Sequence, residues 1–223
     1  MAKCDDDSRV VLVWDAPTRL FHWLVAGLVL AAYVTFRLDW MEWHERIGYT
    51  LLALVFFRLL WGFFGSETAR FAGFLASPRR AARHLFHLFR REPDRQVGHN
   101  PAGGWMVLLL LGLLLGECLT GLYLNNDIAD EGPLTELVPA SVANLIDALH
   151  TIFWQALLAA VALHILAILI YAVAKRQNLV LPMLSGRKAL PAGARSPALA
   201  GAARALLLLA CSVLAAALLV EFL

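Results

Sequence analysis

Two histidines, His150 and His164, lie within the longest apolar stretch of the sequence, residues 147–176. They are 14 residues apart, so in an α-helix they point to the same side, about 40° apart, with roughly 21 Å between them along the axis. The stretch is long enough to span a bilayer core of roughly 30 Å. Imidazole rings are costly there and by default face a bundle interior, where they mark function. The spacing therefore predicts two metal centres, one near each face of a membrane.

The composition supports a membrane protein. Of the 223 residues, 60% are hydrophobic, and the mean hydropathy is +0.67, which is high for a soluble domain. No CxxCH motif and no CxxC pair occurs, which excludes covalent c-type haem and gives no sign of a zinc or iron–sulfur site. We interpret the three separate cysteines as incidental: Cys4, Cys118 and Cys211. Apolar runs near the length of a membrane span occur five times, at about 20–36, 47–64, 105–124, 148–174 and 205–223.

The charges of the connections indicate an orientation. Residues 65–104 and 175–204 are rich in arginine and lysine, whereas residues 37–46 and 125–147 are acidic. If every run spans, the two basic connections share one side of the membrane and the two acidic ones share the other. Basic residues accumulate on the cytoplasmic side. We therefore predict a multi-pass protein of the bacterial inner membrane, with a cytoplasmic N-terminus and a periplasmic C-terminus.

This orientation sets the depth of each histidine. His44 then pairs with His150 near the outer face, and His22 pairs with His164 near the inner face. Two imidazoles alone make a poor zinc site, and no carboxylate or thiolate is placed beside either pair. A porphyrin supplies four nitrogens itself and needs only axial ligands, so we predict two haems b with bis-histidine ligation. The alternative is that all four are core histidines with hydrogen-bond partners.

The predicted fold is an all-α membrane protein: a four-helix transmembrane bundle holding two haems b, plus a fifth C-terminal transmembrane helix. Residues 1–16 form a cytoplasmic N-terminal segment, and residues 189–223 form a linker and the fifth helix. The dihaem domain covers 17–188, with helices at about 17–37, 44–64, 104–124 and 146–174. A basic amphipathic helix at about 77–91 is expected on the cytoplasmic membrane surface, with these side chains toward the lipid: Leu85, Phe86, Leu88 and Phe89.

Other polar residues have two interpretations each. Arg19 and Arg58 lie toward the inner site and either neutralise haem propionates or extend to the headgroups. Glu117 either carries protons for quinol chemistry or is a protonated carboxyl bonded to a neighbouring helix. His99 is a loop residue close to the inner site, beside a haem propionate or a quinone if functional. A surface position without a site role is favoured for two histidines, His84 and His87.

The motifs that carry a resemblance lie between about residues 10 and 188. They are VWDAPTRLFHWLVA, HERIGYTLLALVFFRLLWGFFGSETARF, GHNPAGGWMVLLLLGLLLGECLTGLYL, the two-histidine helix and PMLSGRK. Together they resemble the bacterial cytochrome b561 and nickel-hydrogenase b-type cytochrome family. The resemblance implies a four-helix core with two haems b, and it assigns as ligands the same four histidines: His22, His44, His150 and His164. The VWDAPTR start is more similar to the hydrogenase-type branch.

The resemblance also implies a function. Members pass electrons between the membrane quinone pool and a redox partner outside the membrane, so we expect a periplasmic c-type cytochrome or hydrogenase-like partner. The acidic outer connections predict that this partner has a basic docking face and meets the protein at 125–147. The alternative is a stand-alone quinol-linked oxidoreductase acting on a small oxidant such as superoxide, and the choice between carrier and enzyme stays open. A transporter or scaffold is disfavoured because no span is interrupted by Gly or Pro. Lipid and quinone are expected partners and nucleic acid is not, while monomer and homodimer both remain open.

Overall fold

The structure is a computed structural model that describes residues 8–86, 96–126, 130–191 and 193–222. Its helices are α1 (Ala16–Arg37), α2 (Met41–Phe64), α3 (Phe71–Phe74), α4 (Pro78–Phe86), α5 (Pro101–Gly121), α6 (Ala140–Val173), α7 (Val180–Ser185) and α8 (Ala202–Phe222). Its strands are β1 (Ser8–Leu12), β2 (Asn125–Asn126), β3 (Asp130–Glu131) and β4 (Arg187–Pro191), and short 3₁₀ turns cover Glu67–Ala69 and Thr135–Leu137.

Five of the helices in the described part of the chain are long and apolar enough to cross a membrane: α1, α2, α5, α6 and α8. The predicted fold class, a helical membrane bundle with a fifth C-terminal helix, is confirmed. Among the five, α2 is the most buried because it packs against α1 on one side, α5 on another and α8 on a third. The fifth helix is thus an integral neighbour of the core rather than a detached anchor.

The neighbouring helices of the bundle do not all pack equally closely. Close packing runs from α1 to α2, from α2 to α5 and from α5 to α6. Helices α1 and α6 make far fewer backbone approaches to each other than these neighbouring pairs do. The main apolar core accordingly lies between α2, α5 and α6, around Leu52, Val55, Leu114 and Leu157. The interface between α1 and α6 is where the predicted ligands of the inner site meet.

Asp15 fixes the start of α1. Its Oδ1 accepts a hydrogen bond from the backbone N–H of Thr18 at 2.6 Å, so Asp15 is the N-cap, and Pro17 occupies the first turn. Its Oδ2 accepts a second bond from the indole N–H of Trp61 in α2 at 3.2 Å. Both Asp15 and Trp61 are buried. One carboxylate therefore caps α1 and joins it to α2 at the same end of the bundle.

The chain segments at the two borders of the predicted dihaem domain pair with each other in a two-stranded ribbon. Strand β1 pairs antiparallel with β4, with Ser8 opposite Pro191 and Leu12 opposite Arg187. Val11, Val13, Trp14 and Leu190 form a small buried cluster beneath this ribbon. The sequence interpretation treated 1–16 as a plain segment and 189–223 as a linker before the helix. The pairing was missed because each strand is short and its partner lies at the far end of the domain.

Several helix boundaries differ from the expected ones: α2 begins at Met41 rather than at 44, and α5 covers Pro101–Gly121 rather than 104–124. Helix α6 begins at Ala140 rather than at 146, because Pro139 ends the preceding loop and the mixed residues 140–146 extend the helix beyond its apolar run. Helix α4 begins at Pro78, as expected, and is described to Phe86. His87, Leu88, Phe89 and the rest of the predicted helix to 91 lie outside the described residues, as do Cys4 and Asp127.

We expect Asp15→Ala to lower the free energy of unfolding by about 2 kcal/mol, because α1 loses its cap and the buried Trp61 N–H loses an acceptor. A thermal unfolding curve of the detergent-solubilised protein measures the effect. Asp147→Ala removes an exposed aspartate from α6 and serves as the matched control. Equal stability of the two variants would contradict the role given to Asp15.

Candidate cofactor sites

The inner pair of histidines is brought together across the interface between α1 and α6. The ring centroids of His22 and His164 lie 6.3 Å apart, with the ring planes inclined at 54°. Two imidazole nitrogens bound to one metal at about 2.0 Å each lie about 4 Å apart, which places their ring centroids roughly 6 Å apart. The observed separation is therefore compatible with a shared iron. Trp23 packs edge-on against His22, at 4.8 Å between centroids.

In the outer pair, Nδ1 of each histidine ring lies within hydrogen-bond distance of a neighbouring helix. His44 Nδ1 lies 2.9 Å from the carbonyl oxygen of Ala32 in α1. His150 Nδ1 lies 2.9 Å from Thr120 Oγ1 and 3.1 Å from the carbonyl oxygen of Glu117, both in α5. The two rings are also close enough to interact electrostatically. These contacts leave Nε2 of each ring as the nitrogen for a metal.

A glycine beside the outer pair leaves room for a planar group. Gly48 follows His44 by one helical turn and so lies on the same face of α2. A Cβ at Gly48 would meet no atom within 4 Å, and the position is only partly buried. On the other side, a Cβ at Gly121 would lie 3.4 Å from Cε1 of His150. The site is thus open beside His44 and closely fitted beside His150.

An aromatic pair joins α1 to α6 at a level between the two pairs of histidines. Tyr33 of α1 stacks on Trp154 of α6, with centroids 5.6 Å apart and planes inclined at 15°. Trp154 lies one turn from His150 along α6, so the pair lies on the outer-site side of the midpoint. Contacts between α1 and α6 are therefore made largely by rings rather than by close backbone packing.

The donor set fits a porphyrin better than a bare ion. In the ranges that the structure describes, no group of three or more His, Cys, Asp or Glu side chains could hold a metal ion. A closed zinc site needs four protein ligands, whereas haem iron needs only axial ones. Two histidines on facing helices satisfy the second requirement and not the first.

Arg58 is the most buried charged residue near the inner site. Its guanidinium is 3% exposed, donates to the carbonyl oxygen of Ala69 at 3.2 Å and lies 5.3 Å from the ring centroid of Phe71. Asp15 is near enough to interact with it electrostatically. Arg58 thus stays inside the protein rather than extending to the headgroups, so it is placed to meet an anionic group within the bundle.

Arg19 has a different environment. Its Nη1 donates to the carbonyl oxygen of Leu184 at 2.5 Å, which ties α1 to α7. Its Nε is buried and has no hydrogen-bond partner among the described residues. Arg19 lies three residues before His22 on α1, which places the two side chains on the same face of the helix. The Nε atom itself lies beside Gly186, where an added Cβ would come within 3.1 Å of it.

His99 closes the inner site from the loop before α5. Its ring lies between Trp14 and Phe74, each 4.6 Å away between centroids. Burial lowers the pKa of His99 to about 3, and Arg58, His164 and His22 act in the same direction. The ring is therefore neutral at physiological pH. Its Nδ1 is buried without a partner in the described part of the protein, and the ring is near enough to His22 and His164 to interact with both electrostatically.

Glu117 contacts the outer pair. Its Oε1 lies 3.3 Å from Nε2 of His150 on the neighbouring helix. Oε2 is buried and has no hydrogen-bond partner among the described residues. A metal at Nε2 would require this carboxyl group to turn away. The geometry matches the interpretation of a carboxyl group bonded to a neighbouring helix, and it leaves the proton-carrying role untested.

Sequence reasoning missed several polar contacts. Thr120 touches His150, and the signal for it, a hydroxyl three residues after Glu117, is too common to single out. Tyr171 at the inner end of α6 accepts a bond from Asn100 at 2.9 Å and meets His84 Nε2 at 2.6 Å. His84, expected at the surface without a site role, therefore fastens α4 to α6.

Comparison with known proteins assigns the chain. The sequence profile described as prokaryotic cytochrome b561 matches residues 13–186. The chain belongs to the prokaryotic cytochrome b561 family. The predicted resemblance is confirmed, and this cytochrome is a membrane electron-transfer protein that binds haem b.

A curated relative agrees with that assignment. The cytochrome is 25% identical over 214 residues to a protein of Rhodobacter capsulatus named as a probable Ni/Fe-hydrogenase B-type cytochrome subunit. The match covers 80% of this chain and 81% of the relative. No solved structure matches the chain.

We expect Gly48→Leu to reduce haem binding, because the added side chain would occupy the open space beside His44. Gly27→Leu is the matched control: Gly27 is exposed on α1, and a Cβ there also meets no atom within 4 Å. A pyridine haemochrome assay per mole of purified protein compares the two. Unchanged haem content in Gly48→Leu would show that this space does not receive the cofactor.

Proposed function

We propose that this cytochrome carries electrons across the bacterial inner membrane through two haems b, between the quinone pool and a redox partner on the periplasmic side. The observation that carries the proposal is the pairing of four histidines into two sets on facing helices. His22 would hold the inner haem with His164, and His44 would hold the outer haem with His150. When bound, each haem supplies reversible one-electron chemistry at its iron.

The chain's own residues then have defined tasks. The axial separation of His150 and His164, roughly 21 Å, keeps the two centres in one helix bundle yet near opposite faces. Arg58 and Arg19 would pair with haem propionates at the inner site through charge-assisted hydrogen bonds. The apolar helices around each pair would limit the access of water to a bound haem.

The predicted orientation places α4, the β1–β4 ribbon and the basic segments in the cytoplasm. It places the α1–α2 turn and the start of α6 in the periplasm. The name of the Rhodobacter capsulatus relative, a hydrogenase subunit, favours a carrier that works with a partner protein over the stand-alone oxidoreductase. Turnover of purified protein with quinol and a small oxidant, without any partner, would support the stand-alone function instead.

Ligation is tested by single substitutions. We expect His150→Ala to lose the outer haem and keep the inner one, and His164→Ala to do the reverse, because each variant lacks one of two axial ligands. Haem per protein, with redox titration to identify the remaining centre, measures the result. Replacement of all three cysteines should leave both haems in place. Two haems retained in both histidine variants would sink the assignment.

Topology is tested by labelling single cysteines in a variant that lacks the native ones. Arg79 in α4 and Asp147 in α6 are both exposed. With a membrane-impermeant maleimide on spheroplasts, we expect Asp147→Cys to react directly and Arg79→Cys to react only after the membrane is opened. The opposite pattern would invert the orientation and place the outer haem toward the cytoplasm.

The outer surface is expected to favour a basic partner. Glu42, Glu136 and Asp147 are exposed acidic residues on the outer connections and the start of α6. Opposite charges speed encounter, and salt screens the effect over about 10 Å at 0.1 M. Stopped-flow electron exchange with a basic c-type cytochrome should therefore slow as salt increases.

Neutralising those three acids together, as Glu42→Gln, Glu136→Gln and Asp147→Asn, should flatten the salt dependence. The control neutralises three bases of α4 on the opposite face: Arg79, Arg80 and Arg83. A rate that ignores both salt and the acidic substitutions would mean that the acids follow from membrane topology alone.

A further inference from the structure

The ring of His150 is anchored by a short hydrogen-bond relay in α5. His150 Nδ1 lies 2.9 Å from Thr120 Oγ1, and the same hydroxyl lies 2.8 Å from the carbonyl oxygen of Gly116. A threonine hydroxyl has one proton and two lone pairs. The nearby carbonyl oxygens can only accept, so Thr120 donates its proton to the backbone and turns a lone pair toward the ring.

This relay sets which nitrogen of His150 carries the proton. Nδ1 faces two acceptors, Thr120 Oγ1 and, at 3.1 Å, the carbonyl oxygen of Glu117. The Glu117 carbonyl oxygen can only accept, so Nδ1 is the protonated nitrogen. The lone pair of the neutral ring is then on Nε2, which Glu117 Oε1 faces at 3.3 Å as a carboxyl donor. Gly121 limits the position of the same ring, since even a Cβ there would come within 3.4 Å of Cε1. The ring is fixed both in tautomer and in place.

The histidines of the two pairs differ in this respect. The Nδ1 of His44 is held by a backbone carbonyl, that of Ala32. The Nδ1 of His22 is buried without a partner in the described part of the protein. A ring nitrogen that donates a hydrogen bond makes its imidazole a more basic ligand, and a more basic ligand stabilises ferric iron. Among these three rings, His150 has a side-chain partner at Nδ1, the Thr120 hydroxyl, in addition to a backbone carbonyl, and substitution can remove that closer partner.

We propose that Thr120 is a positioning residue: its hydroxyl fixes the tautomer and orientation of His150 and lowers the midpoint potential of the outer haem relative to a site without that hydrogen bond. The inference rests on the proposed ligation of the outer haem by His150. It adds a residue that does not itself touch the iron.

The test compares Thr120→Val, which removes the hydroxyl at nearly constant shape, with Thr120→Ser, which retains it. We expect Thr120→Val to shift the outer haem to a more positive midpoint potential, to change its low-spin ferric EPR signal, and to weaken haem retention by about 10-fold. Retention is measured as transfer of haem to apomyoglobin. Thr120→Ser should restore all three properties, and the inner haem should be unaffected.

Thr50→Val is the matched control. Thr50 in α2 also donates to a carbonyl one turn back, that of Arg46 at 2.8 Å, and it is exposed. Its substitution should leave both potentials unchanged. If Thr120→Val fails to accumulate, Thr120→Ala against Thr120→Ser makes the same comparison, since those two differ by one oxygen atom.

The results distinguish a failure of the proposed ligation by His150 from a failure of the role given to Thr120. An outer haem that survives in His150→Ala overturns the proposed ligation itself. If His150→Ala loses that haem while Thr120→Val keeps the potential and EPR signal of the unsubstituted protein, only the role of Thr120 is overturned. Equal shifts in Thr120→Val and Thr120→Ser would also overturn it, because the effect would then follow side-chain shape and not the hydroxyl.

Discussion

Burying imidazole rings in apolar helices is the constraint on which this structure depends. A polar ring taken out of water loses free energy unless each nitrogen finds a partner, and a lipid-embedded helix offers few. In this protein the backbone of α1 serves His44, and α5 serves His150. Nε2 of His150 lies 3.3 Å from Glu117 Oε1, and Nδ1 of His22 is buried with no partner among the described residues. The packing of the helices is consistent with this constraint. Helices α2 and α5 pack closely against their neighbours, whereas α1 and α6 face each other through side chains.

The inner end of the bundle also contains a buried guanidinium, whose charge and N–H groups need partners. Arg58 shares its surroundings with Asp15, His99 and the aromatic ring of Phe71. The carboxylate of Asp15 both orders the first turn of α1 and supplies a charge of opposite sign to Arg58. The pKa of His99 is low chiefly because its ring is buried, and the positive charge of Arg58 lowers it further. The same few residues thus cap α1, balance the charge of Arg58 and lie near the inner pair of histidines.

Much of this architecture could be predicted from the sequence, because membrane spans are set by local apolar length and histidine depth follows from counting residues along a helix. The five spans and the family were confirmed, whereas the role of the four histidines as haem ligands stays a prediction. The β1–β4 ribbon, the bond from Trp61 to Asp15 and the packing of α8 on α2 could not be predicted. Each joins residues far apart in sequence through short or common motifs. Thr120 belongs to the same group, since a threonine in an apolar helix usually bonds only to its own backbone.

The ribbon between β1 and β4 has a consequence for biogenesis. Strand β1 is made first, yet its pairing partner follows the fourth span, so the end of the bundle that carries the ribbon stays unsealed until nearly the whole core has been inserted. Contacts of such long sequence separation form late. During that interval the finished cap of strands and loops does not yet close this end of the bundle. Synthesis of the chain itself thus provides an interval in which a large flat cofactor could reach its ligands, and pairing of the last strand then closes the way out.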